Sequence, residues 1–281
     1  MASPLDTEIT TTVSDEATQR RCDGKVEIPP TPSPHGGNLL RAASPGAEEA
    51  RSHSVDVTKD EHRDAGEVLV MTTAVIGTGG LGSVIARQLA SGGETLRLSS
   101  ADNQSARMLA GEIGRAAVVA VDNRDALRGA DTVVLALRFS VLKDVIDEIA
   151  DPLTDKLVVV PSNPVGLDAH GNVSRLLPKG QSSGEVVTGW APTGTRLAMA
   201  FGTLSADLLR SSSNRSPDPA VLFYVTDDDR AGEEVGRLIR TAGFEPVRVG
   251  GMEQSSRLEV GGDLHDLVVG PAQARAVIAE A

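Results

Sequence analysis

The stretch that decides the fold is "TAVIGTGGLG", residues 73–82. A short apolar run leads into Gly77-Thr78-Gly79-Gly80-Leu81-Gly82, the spacing G-x-G-x-x-G, and "SVIARQLASGG" follows with apolar residues at helical intervals. In a strand-turn-helix of this kind the first glycine permits the tight turn. The second leaves room for a pyrophosphate to reach the backbone, and the third lets helix and strand pack closely. The amides of Gly80 and Leu81 open the helix, where its dipole favours negative charge. The spacing alone is a weak signal, since glycine turns are common; what surrounds it makes it strong.

Outward from this turn the same alternation repeats. "ETLRLSS" reads as a second strand and "QSARMLAGEIG" as a helix ending at Gly114. "AAVVAV" is a third strand, "DALRGA" a short helical turn and "DTVVLAL" a fourth strand. "VLKDVIDEIADPL" is a helix stopped near Pro152, and "KLVVVPSNP" a fifth strand. Strands this rich in Val and Leu belong to a parallel sheet buried on both faces. The fold predicted is α/β, a doubly wound parallel sheet of the Rossmann type. After Pro164, "VGLDAHGNVSRLLPKGQSSGE" reads as a long polar surface or active-site loop. Strands and helices then resume with "RLAMAFGTLSADLL", "AVLFYVTDD", "RAGEEVGRLIRTAG" and "FEPVRVG". This divides the chain into a tail at 1–70, a dinucleotide-binding domain at 71–165 and a small mixed α/β C-terminal part at 166–281 that borders the substrate cleft.

Residues 1–66 contain no Phe, Tyr or Trp and abound in Pro, Ser, Thr, Asp and Glu, so this segment is expected to be disordered. Met71 stands just ahead of the first strand, the usual start of a free-standing Rossmann domain. The tail is thus either a non-native or dispensable extension upstream of a start at Met71, or a regulatory segment.

A net charge of −12 with no basic stripe argues against a nucleic-acid or anionic-membrane partner. There is no apolar run of membrane-spanning length and no signal peptide, and a cytoplasmic protein is expected. The one cysteine, Cys22, and the two histidines beyond the tail, His170 and His265, cannot make a metal site, and both histidines read as ordinary surface or loop residues. The expected partner is a small-molecule redox substrate, with a homodimer left open.

Cofactor preference is set at the end of the second strand. An NAD site usually has a carboxylate there, about 20 residues past the glycines, to bind the ribose hydroxyls. Here stand Ser99 and Ser100, whose hydroxyls and nearby amides suit a 2′-phosphate, although Asp102 is close and a solvated loop is the plain alternative. At the ends of strands four and five, Leu137-Arg138-Phe139-Ser140 and Pro161-Ser162-Asn163-Pro164 should border the nicotinamide. Arg138 could hold an anion or be merely solvated, and Asn163-Pro164 could be only a turn. Neither loop carries a Lys, Tyr or His to act as general acid. Direct hydride transfer needs none, because it asks mainly for the positioning of two rings.

"AVIGTGGLGSVIARQLASGGETLRLSS", "ADTVVLAL", "LVVVPSNP" and "RLAMAFGTLSADLL" are similar in order and spacing to the coenzyme F420-dependent NADP oxidoreductase family, over about residues 72–260. The resemblance implies NADP across the glycine loop of Gly77 to Gly82, with Thr78, Gly79, Gly80 and Leu81 contacting the pyrophosphate. It implies Ser99 and Ser100 at the 2′-phosphate, and Leu137, Arg138 and Phe139 in the nicotinamide-side loop, beside the Asn163 and Pro164 that the strand end already places there. Ala200, Phe201, Gly202 and Thr203 match the wall of a cleft that takes coenzyme F420 as co-substrate. The chain departs from the family where a Ser-Arg pair is usual at the 2′-phosphate, at Arg138, where a proline is frequent, and in its C-terminal segment. The expected activity is hydride transfer between NADP(H) and a deazaflavin or flavin-like acceptor. The alternative is a non-catalytic NADP(H)-sensing binding protein. A hydroxyacid or imine reductase normally has a long helical C-terminal domain, for which about 115 mixed residues leave no room.

Overall fold

The computed structural model describes residues 71–167, 170 and 172–279. The expected disorder of residues 1–70 therefore lies outside the described residues. Strands β1 (Thr72–Ile76), β2 (Thr95–Ser99), β3 (Ala117–Val119), β4 (Thr132–Leu135) and β5 (Leu157–Val160) alternate with helices α1 (Gly80–Ser91), α2 (Asn103–Ile113), α3 (Asn123–Ala126), α4 (Phe139–Glu148) and α5 (Ala150–Leu153). A hairpin of β6 (Val165–Leu167) and β7 (Val173–Arg175) follows, then α6 (Ser183–Trp190), β8 (Arg196–Met199) and α7 (Ala206–Ser212). The chain continues through β9 (Val221–Val225), α8 (Asp229–Thr241), β10 (Glu245–Gly250), a 3-10 turn over Met252–Arg257 and α9 (Pro271–Ala279).

Eight strands form one sheet in the order β10-β9-β8-β5-β4-β1-β2-β3. From β3 to β8 every neighbouring pair is parallel. β9 meets β8 antiparallel at Val225 and Met199, and β10 runs parallel to β9. The chain builds outward from β1 to β3, crosses back to β4 and builds the other way, so the strand order reverses between β1 and β4. In sheets of this kind the crevice beyond the carboxyl ends at that reversal is where ligands bind.

Strand periodicity explains why both faces are covered. In β1, Val75 points to one side, where it packs with α1, α2, α7 and α8 through residues such as Ile85, Leu109, Leu209 and Leu238. Its neighbours Ala74 and Ile76 point to the other, against α3, α4, α6 and α9 through Ala126, Leu142, Val187 and Ala274. α1 and α2 close at Gly92 and Gly114 as the sequence predicts.

Two local expectations change. Pro152 does not stop α4, which ends at Glu148. It sits inside the single turn of α5, where a missing N–H costs nothing because no helical partner awaits it. The stretch 165–185 is also more than a loop. Val165, Gly166 and Leu167 pair with Arg175, Ser174 and Val173, and α6 begins at Ser183 behind a capping box of Ser182 and Glu185. Among the described residues no helix is long and apolar enough to cross a membrane.

Candidate active site

At the end of β1 the chain turns through Gly77, whose φ of 98° is in the left-handed region and whose added Cβ would lie 2.2 Å from the Ala136 carbonyl oxygen. A Cβ on Gly82 would lie 2.0 Å from the Gly77 carbonyl oxygen. These two glycines are demanded by the fold itself. Gly79 and Gly80 differ, since a Cβ on either meets no atom within 4 Å. The loop is pinned from both sides, by Gly77 N–H to the Ser99 carbonyl at 2.8 Å and by Ala136 N–H to the Ile76 carbonyl at 2.9 Å.

The first bond along the start of α1 runs from Ser83 N–H to the Gly79 carbonyl, 2.8 Å, so the amides of Gly80 and Leu81 precede any helical partner. No side chain caps this end. Among the described helices of ten residues or more, Asp102 caps α2 and Asp228 caps α8, while α1 and α4 have no side-chain cap. The two uncapped helices are those that follow β1 and β4, on either side of the reversal point. Free amides and a positive dipole end thus converge where an anion can approach.

At the end of β2 the two serines part ways. Ser99 is buried and donates to Asn123 Oδ1 at 2.8 Å, so its hydroxyl is turned toward α3. Ser100 is half-buried, and its hydroxyl lies 3.1 Å from that of Ser105, which in turn lies 2.8 Å from Thr78 Oγ1. A chain of three hydroxyls therefore joins the glycine loop to the turn after β2. The nearby carboxylate of Asp102 accepts from Gln104 N–H at 2.9 Å as the cap of α2. Ser105 and Asn123 were not singled out in the sequence, because their contacts with Thr78 and Ser99 span 27 and 24 residues.

After β4, Leu137 is half-buried and Arg138 is exposed at the N-cap of α4. Phe139 turns into the core, with its ring centroid 5.3 Å from that of Trp190. Ser162 donates to the Leu137 carbonyl at 2.6 Å and so fastens the end of β5 to this loop. Asn163 donates to the Gly202 carbonyl at 2.8 Å, and Pro164 is buried with its carbonyl accepting from Leu176 N–H at 2.8 Å.

After β8, Ala200, Phe201 and Thr203 are buried. Phe201 holds a φ of 67°, a conformation that costs a non-glycine residue on the order of 1–3 kcal/mol and persists only where packing fixes it. Gly202 is required beside it, since its Cβ would lie 2.2 Å from the Pro161 carbonyl oxygen. The C-terminal segment locks this loop from outside. Asp266 N–H donates to the Thr203 carbonyl at 2.7 Å, and Ser205 N–H donates to Asp266 Oδ1 at 2.7 Å. His265, on the same turn, is mostly buried, whereas His170 is exposed on the hairpin.

The structure thus lines up residues 77–82, Ser100, Leu137-Arg138, Asn163-Pro164 and 200–203 along the carboxyl edge of β2, β1, β4, β5 and β8. Ser99, Phe139 and Phe201 stand on the same edge with their side chains turned inward. Further along the rim, Arg257 holds Asp263 by a fork, 2.7 Å from Nη2 to Oδ2, and these hydrogen bonds keep the Asp263 carboxyl below the usual carboxylate range. Among the described residues no group of three or more His, Cys, Asp or Glu is placed to hold a metal ion. The edge offers the free amides at the start of α1 to an extended anionic ligand, with the half-buried Leu137 and Asn163 further along it.

Residues 72–164 match the family model described as NADP oxidoreductase, coenzyme F420-dependent. The chain is 28% identical over 203 residues to the F420-dependent NADP reductase of Methanothermobacter thermautotrophicus, covering 69% of this chain and 87% of that protein. A crystal structure of a hypothetical protein from Sinorhizobium meliloti superposes with a TM-score of 0.63 at 27% identity, over 71% of this chain and 95% of that one. A reductive aminase from Aspergillus terreus, in complex with NADPH, shares the fold at a TM-score of 0.50 and 16% identity, over 74% of this chain and 61% of the aminase.

Proposed function

Because residues 72–164 match the model of the coenzyme F420-dependent NADP oxidoreductase family, we propose that the chain is of that kind, binds NADP(H) across its glycine loop and passes hydride between it and a deazaflavin, coenzyme F420, or a flavin-like acceptor. One observation carries this reading: the uncapped start of α1, with open space over Gly79 and Gly80, lies at the reversal point of the sheet. A dinucleotide pyrophosphate suits that place, because its charge meets free amides and its bulk meets no side chain.

When bound, the reduced nicotinamide supplies the hydride and the acceptor ring takes it up. The protein's own part is positioning. Gly80 and Leu81 offer amides to the pyrophosphate, and Ser100, on turning away from Ser105, would donate its hydroxyl to a 2′-phosphate, while Ser105 keeps its proton on the Asp102 carbonyl. Ser162 and Asn163 hold the loops after β4, β5 and β8 at fixed distances, which sets where a nicotinamide and a second ring can lie. No general acid is needed in a direct transfer, and the loops after β1, β2, β4, β5 and β8 contain no Lys, Tyr or His.

Stopped-flow mixing of the NADPH-loaded protein with coenzyme F420, FMN and ferric chelates in turn tests the proposal. Oxidation of NADPH by the deazaflavin or flavin is the expected result. Tight NADPH binding with no oxidation by any of the three acceptors overturns it in favour of the sensing role.

A further inference from the structure

Among the described residues only two charged side chains are buried, Glu94 and Glu259. A buried carboxylate is costly unless charge and hydrogen bonds compensate it, so each marks a point where the fold depends on what that side chain holds. Glu94 stands just ahead of β2, at the edge of the sheet opposite the cleft, paired with Arg237 and Thr73. Glu259 lies at the cleft itself. It borders the same recess as Pro161, Asn163, Ala200 and Gly202.

Both oxygens of Glu259 are engaged. Oε1 accepts from the Ser183 N–H at 2.7 Å, at the start of α6, and Oε2 pairs with Arg175 of the β6-β7 hairpin at 2.5 Å. Its carbonyl accepts from the Gly262 N–H at 2.7 Å and closes the turn that follows. Side chain and main chain together thus fix the backbone at 259–260. The next amide, that of Val260, donates to Asn163 Oδ1 at 2.8 Å, and Asn163 donates to the Gly202 carbonyl at 2.8 Å. The Val260 side chain is itself exposed and gives this amide little packing to hold it in place.

Strand order says which ligand this line of bonds affects. The loops after β5 and β8 stand beyond β4, away from α1 and the turn after β2, where the phosphates of a dinucleotide would lie. We propose that Glu259 is a positioning residue: through the Val260 amide and Asn163 it fixes the loops after β5 and β8, and so sets where the hydride acceptor lies, with little hold on NADP(H). This inference rests on the hydride transfer proposed above. With both oxygens engaged, Glu259 holds the wall and does not itself meet the ligand.

The test reads binding apart from turnover. With the full chain saturated in NADP+, coenzyme F420 and FMN are titrated by their own fluorescence, and NADPH is titrated separately. The proteins compared are wild type, Glu259→Ala, Asn163→Ala and the double variant. Glu259→Ala is expected to weaken acceptor binding by about tenfold, the scale of one lost charge-assisted hydrogen bond, and to leave NADPH affinity within about twofold. Asn163→Ala weakens acceptor binding as well, and the double variant binds no more weakly than the weaker single one, because both act through one clasp. Glu259→Gln, whose amide oxygen still accepts from the Ser183 N–H, falls between wild type and Glu259→Ala. If Glu259→Ala does not fold, Glu259→Gln carries the same comparison. Unchanged acceptor affinity in the folded variant, an equal loss for NADPH, or additive losses in the double variant overturns the inference alone. A wild-type protein that binds neither acceptor overturns the proposed transfer, and the inference with it.

Discussion

Asn163 and Val260 are 97 residues apart in sequence, and the Val260 N–H donates to Asn163 Oδ1 at 2.8 Å. With its other amide atom Asn163 reaches the Gly202 carbonyl, so one side chain binds the loop after β5 to the loop after β8 and to the C-terminal turn. An Asn-Pro pair that the sequence allows to be only a turn is thus the clasp of the cleft.

Replacing Asn163 by Ala removes both bonds and leaves the Gly202 carbonyl without its partner. A loss of about 0.5–1.5 kcal/mol in stability is expected, the net worth of a typical hydrogen bond, since Gly202 is only half-buried and Val260 is exposed to water that can replace the lost partner. Thermal unfolding of the variant measures it. An unchanged melting temperature would show that the three segments are held by other contacts.

The glycine loop separates fold from function. Gly79→Ala places a methyl in open space, with a φ of −70° that alanine accepts, so the variant is expected to fold with unchanged stability. Its NADPH affinity is expected to fall by about 1–3 kcal/mol, the scale of overpacking. Gly82→Ala should do the reverse and destabilise the fold, since its methyl lands 2.0 Å from the Gly77 carbonyl oxygen. Paired measurements of melting temperature and NADPH affinity in the two variants check this. Equal NADPH binding in wild type and Gly79→Ala would mean the dinucleotide lies elsewhere.

Tyr224 is the one tyrosine in the chain, so a phenolate absorbance titration reports it alone. Burial pushes its hydroxyl up from the ordinary value of about 10. The folded state therefore holds this proton more tightly than the unfolded chain. Below about pH 10 both states are neutral at this group, and its contribution does not change with pH. As pH rises from there toward the folded value, the unfolded chain ionises first and stability is lost. An ionisation midpoint at or below that of the unfolded protein would contradict the buried placement.

Much of the backbone geometry around the candidate site was legible because it is local. The tight glycine spacing, the helix ends at Gly92 and Gly114 and the serines after β2 lie within one βα unit each, where spacing maps directly onto geometry. Strands β6 and β7, three residues each, are too short to show a period, and their pairing is set by tertiary packing. Helix α6 did carry a local signal, Ser182 followed three residues later by Glu185, at the end of a stretch whose glycines and polar residues read as loop. The clasp at Asn163, the Glu259-Arg175 pair and the Thr78-Ser105 contact had no such signal, since each joins residues far apart in the chain. The opposite orientations of Ser99 and Ser100 follow from strand alternation, which the strand boundary at Ser99 fixes.

The proposed function rests on NADP(H) lying at the reversal point with its 2′-phosphate at the turn after β2. The one tryptophan, Trp190, packs on Phe139 beside the loop after β4, so its emission offers a built-in probe of binding. Parallel fluorescence titrations of the wild-type protein with NADPH and NADH test the claim most directly. A hydrogen bond to a charged group is worth about 1.5–3 kcal/mol, and each 1.4 kcal/mol is about a factor of ten. The predicted result is NADPH binding about tenfold tighter than NADH or more. NADH binding as tightly as NADPH, or more tightly, would contradict the account and return the ribose contact to Asp102.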